Sequence, residues 1–88
     1  MFLVDVKGLY RQNPWIVGRK AQREDLFYIL AFVPDAAANK FFVLSQSQIH
    51  EYIEAELKRL NRASDYGMMG ILWSQGAKHE GAWETLPA

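Results

Sequence analysis

The chain has 88 residues, half of them hydrophobic and 14% aromatic, with ten basic and ten acidic side chains and no cysteine. That suits one small packed domain, argues against disorder, and excludes a disulfide framework and a thiolate metal site. Charge is balanced overall but not locally: residues 1–23 carry Lys7, Arg11, Arg19, Lys20 and Arg23 against Asp5 alone, and the remainder carries the opposite excess.

Taken in order, Phe2-Leu3-Val4-Asp5-Val6-Lys7 predicts a first strand over about 2–7, closed by Gly8. Side chains alternate across a strand, so Phe2, Val4 and Val6 share one side while Asp5 and Lys7 share the other. Residues 9–13 are polar and turn-like, Pro14 excludes a helix, and Trp15-Ile16-Val17 predicts a short returning strand at 15–17. Arg19 to Asp25 reads as a charged surface loop. Leu26 to Val33 is the strongest strand, stopped by Pro34, and Phe41-Phe42-Val43-Leu44 centres the next, at about 40–45. The short PDAAAN connection suits an antiparallel hairpin.

Ser45-Gln46-Ser47-Gln48 has the S-x-x-Q spacing of a capping box, and Ile49, Tyr52, Ile53, Leu57 and Leu60 follow at helical spacing. A helix is expected over about 46–61. The tail from 62 to 88 holds Gly67, Gly70, Gly76 and Gly81, so it predicts irregular structure with short elements, anchored by Ile71, Leu72, Trp73, Trp83 and Leu86.

The expected fold is α+β: a single domain, 1–88, with a small mixed or antiparallel sheet of three to four strands and one main helix. The 26–33 strand is apolar on both sides, which belongs in a sheet covered on both faces. One helix covers one face, and the tail is short for the other. An uncovered face leaves an apolar patch, so a homodimer that buries it is expected. No apolar run nears the roughly 20 residues of a membrane span, and the N-terminus lacks the basic-then-apolar layout of a secretion signal. A cytoplasmic protein without membrane contact or small-molecule cofactor is expected.

The ordered set Asp5-x-Lys7, Asn13-Pro14-Trp15, LFYILAFVP, KFFVLSQSQIHEYI and the closing Trp83-Glu84-Thr85-Leu86 resembles PD-(D/E)xK nuclease-like domains of bacterial proteins with the restriction-endonuclease fold. The resemblance spans residue 3 to about 86. It implies the C-terminal half of such a core, because the glutamate-bearing helix and the "PD" hairpin of that fold have no counterpart in these residues. It also implies that Asp5 and Lys7 are the catalytic pair, with Asp5 a ligand of Mg²⁺ and Lys7 acting on the attacking water and the phosphate charge.

Two functions follow. One is a nuclease-related DNA-binding domain, a metal-dependent endonuclease lacking the first half of its catalytic motif. The other is a non-catalytic homodimeric interaction module that retains the hydrophobic half of the fold. In the first, Arg11, Trp15, Arg19, Lys20 and Arg23 are the candidate nucleic-acid contacts, the arginines and lysine for phosphates and Trp15 for a base. Each has a plainer alternative: solvated surface cations, and a core lid for Trp15 beside Pro14. Asp5 and Lys7 could equally be a surface ion pair on an edge strand. His50 and Glu54, one helical turn apart, read as a solvated pair, and His79-Glu80 as surface.

Overall fold

The computed structural model describes residues 1–18, 21–60 and 70–87. It is a small α+β domain built on a three-stranded mixed sheet. Strand β1 (Leu3–Leu9) lies parallel to β3 (Leu26–Phe32), which pairs antiparallel with β4 (Lys40–Ser45), giving the order β1-β3-β4. The short β2 (Trp15–Ile16) leaves this sheet and pairs antiparallel with β5 (Gly70–Ile71). The sequence places β2 as a returning strand but gives no sign of that distant partner. Closeness is what the pairing demands at Gly70, where a Cβ would sit 2.6 Å from the Trp15 carbonyl oxygen.

Helix α1 runs Gln46–Arg59. Its start is fixed by the capping box: Gln48 N–H donates to Ser45 Oγ at 3.2 Å, and Ser45 N–H donates to Gln48 Oε1 at 2.8 Å. These bonds satisfy donors that no helical carbonyl reaches. Ile49, Ile53 and Leu57 recur every fourth residue and are buried against the sheet. Leu60 is the C-cap, and residue 61, the last of the expected helix, lies outside the described residues.

Register decides which face is which. Side chains paired across neighbouring strands share a face, so Leu26, Tyr28 and Leu30 line up with Leu44 and Phe42 under α1 and form the core with Trp15, Val17 and Ile71. The same rows contain Leu3, Asp5, Lys7 and Leu9 of β1. The charged residues of β1 therefore lie on the helix side, and Val4 and Val6 turn to the opposite, open side with Phe27, Ile29, Phe41 and Val43. Strand β1 also runs through Gly8 to Leu9, past the expected end at Lys7, because pairing of Gly8 and Leu9 with Ala31 and Phe32 carries it on.

The tail straddles the free edge of β4. Helix α2 (Trp73–Gly76) sets Trp73 on the helix side, stacked on Trp15 at 4.7 Å and edge-on to Phe32 and Phe42 at 4.9 and 5.5 Å. Two 3-10 turns, Ala77–His79 and Trp83–Thr85, then pass the edge. There Glu80 bridges Phe42, and Gly81 N–H donates to the Phe41 carbonyl at 2.8 Å. Trp83 reaches the open side, 6.0 Å from Phe41. Of the two tail tryptophans, Trp73 thus serves the first face and Trp83 the second, a division the sequence does not reveal. The open side is consequently closed near β3 and β4, where Val43, Ala31 and Phe27 are buried, and bare along β1, where Val6 is 62% exposed.

Candidate functional site

Asp5 and Lys7 sit two residues apart on one side of an edge strand, which brings Lys7 Nζ within 3.5 Å of Asp5 Oδ1. Their side chains are 15% and 34% exposed, so this is a half-sheltered pair and not two solvated charges. Asp5 lies in the same row as Tyr28, which is buried. Asp is depleted in strand interiors, and its place here is made tolerable by the adjacent ammonium.

Beyond Lys7, the carboxyl end of β1 opens onto a concavity of about 290 Å³ lined by Gly8, Leu9, Tyr10, Arg11 and Asn13. The carboxyl ends of neighbouring parallel strands commonly carry ligand crevices in α/β sheets. Arg11 is exposed here, its guanidinium carbon 5.9 Å from the centre of the Tyr10 ring. Asn13 is fixed from behind, since the Trp73 indole N–H donates to its carbonyl at 2.9 Å. The site therefore combines a carboxylate and a lysine in one row with an arginine at the strand's end.

Of the other candidate contacts, Trp15 and Arg23 do not converge on it. Trp15 is 1% exposed, its indole N–H donates to the Ala31 carbonyl at 3.0 Å, and its ring packs on Phe42 and Trp73. It is a core residue and has no face for a nucleobase. Arg23 stands just before β3, where Leu3 N–H meets the Asp25 carbonyl, at the opposite end of the sheet from Arg11. A seven-residue strand separates the two by about 20 Å. Arg23 is also engaged with Asp25 through bonds of 2.9 and 3.0 Å, which hold the Asp25 carboxyl below its usual range. Arg19 and Lys20 lie outside the described residues.

A Mg²⁺ site needs several oxygen donors in one place. Among the described residues no group of three or more His, Asp or Glu is placed to hold a metal ion. Asp5 alone, with an ammonium beside it, does not fit the ion, and no metal-dependent step is assigned to these residues.

Elsewhere the polar residues have structural tasks. His50 Nδ1 meets Gln22 Oε1 at 2.6 Å. His79 is not a free surface residue: its Nε2 shares a 2.7 Å hydrogen bond with the Tyr52 hydroxyl, and burial, assisted by Lys78, lowers its pKa. Gln46, fully buried, accepts from Arg23 N–H at 2.6 Å and donates to the Ala21 carbonyl at 3.0 Å. It ties the loop before β3 to the start of α1. Neither role has a signal in the sequence, because both partners come from distant segments. No described helix is long and apolar enough to cross a membrane.

No protein-family model matches the chain, and neither the curated proteins nor the solved structures give a match.

Proposed function

We propose that this chain is a nuclease-related domain that takes a phosphodiester backbone at the carboxyl end of β1 without being a complete hydrolase by itself. The observation that supports it is the pairing of Asp5 with Lys7 on one half-sheltered row, next to a concavity edged by Arg11. Lys7 and Arg11 supply cations for successive phosphates, Arg11 in the planar form that grips two phosphate oxygens at once. Asp5 keeps Lys7 in place and is a general-base or ligand carboxylate only when further acids join it. The test is a nuclease assay in Mg²⁺ or Mn²⁺ on wild type and Lys7→Ala, with duplex binding measured in parallel. Salt-dependent binding without turnover, weakened by Lys7→Ala, is expected. Cleavage abolished by that substitution means the site is complete, and absence of both binding and cleavage removes the proposal.

A second reading is a homodimeric interaction module. The bare open side of β1 favours it, with Val4 and Val6 exposed on a strand that, among the described residues, has no neighbour on its outer edge. Exposed apolar edge strands are templates for further strand pairing.

A further inference from the structure

Strand β1 carries a pattern that fits its own copy. Leu3 N–H donates to the Asp25 carbonyl and the Leu9 carbonyl accepts from Val33 N–H, both at 2.7 Å. The odd residues of β1 thus spend their backbone groups on β3. In a parallel ladder the alternate residues, Val4, Val6 and Gly8, then direct N–H and C=O outward, along the free edge. A partner strand has to meet these three.

We infer that two copies of this chain pair antiparallel through β1, about a two-fold axis at Val6, so that Asp5 of each faces the partner's Lys7. Resting on the dimeric reading above, this names its partner and register. With Val6 opposite the partner's Val6, the outward groups of Val4, Val6 and Gly8 meet one another in hydrogen-bonded pairs. On the open side Val4 packs over the partner's Gly8, which leaves room for it: nothing lies within 4 Å of where a Gly8 side chain would stand. On the helix side Leu3 meets the partner's Leu9, and Asp5 and Lys7 form two opposite-charge cross-strand pairs.

The neighbouring registers fail on charge. Sliding to the next alignment that keeps the outward groups matched sets Asp5 against Asp5, or Lys7 against Lys7, and a shift half as large turns outward groups toward bonded ones. A two-fold contact of this kind is self-complementary and closes after two copies. The result is a continuous sheet in the order β4-β3-β1-β1-β3-β4. On the open side Val6 gains the partner's Val6 as a cross-strand neighbour, while Trp83 serves the far edge in each copy.

Charge exchange tests the register. Analytical ultracentrifugation of wild type at low salt is expected to give a dimer. Asp5→Lys and Lys7→Asp each create two like-charge pairs and are expected to weaken the dimer at least about tenfold. An equimolar mixture of the two variants restores every pair, so native mass spectrometry is expected to find the mixed dimer, which also shows that both variants fold. The double variant Asp5→Lys/Lys7→Asp is expected to dimerise like wild type. In hydrogen exchange the Val6 amide is expected to slow as protein concentration rises. A dimer equally tight in both single variants overturns the register and leaves the dimeric module standing. A monomeric wild type overturns both, and a monomer with its Val6 amide already protected shows that this chain covers the edge itself.

Discussion

Replacing Trp15 by phenylalanine separates a core residue from a nucleic-acid platform. The indole is 1% exposed, stacks on Trp73 and donates to the Ala31 carbonyl at 3.0 Å. Phenylalanine removes two buried ring carbons, worth about 1.6 kcal/mol at about 0.8 per carbon, and a hydrogen bond worth about 1 kcal/mol. Together that is about 2.5 kcal/mol, before any cost of the residual void. With a urea m-value of about 1–3 kcal/mol/M, the unfolding midpoint falls by about 0.8–2.5 M. A domain of this size has only about 4–13 kcal/mol in all, so alanine, at about 3–5 kcal/mol, removes nearly all of it at the low end of that range, and phenylalanine is the safer probe. The assay is urea unfolding followed by far-ultraviolet circular dichroism, with duplex binding measured below the transition. A midpoint unchanged from wild type, together with lost DNA affinity, would refute the placement of Trp15 in the core.

Gln46→Leu leaves Arg23 N–H and the Ala21 carbonyl without their side-chain partner, and is expected to cost about 2–3 kcal/mol in the same assay. His79 gives a pH dependence. Its folded pKa is depressed by burial, with a contribution from Lys78, so the unfolded chain takes up the proton first as pH falls. Stability is thus full above about pH 6.5 and declines as pH drops toward the folded value. Thermal unfolding of wild type should fall through that window, and His79→Gln should flatten the curve relative to it; equal curves would remove His79 as the cause.

The elements most legible in the sequence are those whose information is local. The capping spacing at Ser45 and Gln48 and the fourfold rhythm of Ile49, Ile53 and Leu57 specify α1 from within. The apolar runs at Leu26–Phe32 and Lys40–Ser45 do the same for the central hairpin. Alternation shows that Asp5 and Lys7 share a side, but not which side α1 covers. That is settled by the parallel register with β3, a contact between segments more than twenty residues apart. For the same reason the stacking of Trp15 on Trp73 has no local sign, because it depends on β2 meeting β5. At the candidate site the Asp5–Lys7 pair was readable from spacing. The separation of Arg11 from Arg23 was not, because adjacency in sequence becomes opposite ends once β1 and β3 run parallel.

The salt dependence of duplex binding reports how many phosphates the protein neutralises. Each phosphate contact contributes about 0.9 to the slope of log affinity against log salt concentration. Wild type is expected to bind measurably, with the slope reduced by about 1 in Lys7→Ala and again in Arg11→Ala, and unchanged in Arg23→Ala. Binding that is absent at low salt, or equally reduced by Arg23→Ala, would contradict a phosphate site at the carboxyl end of β1.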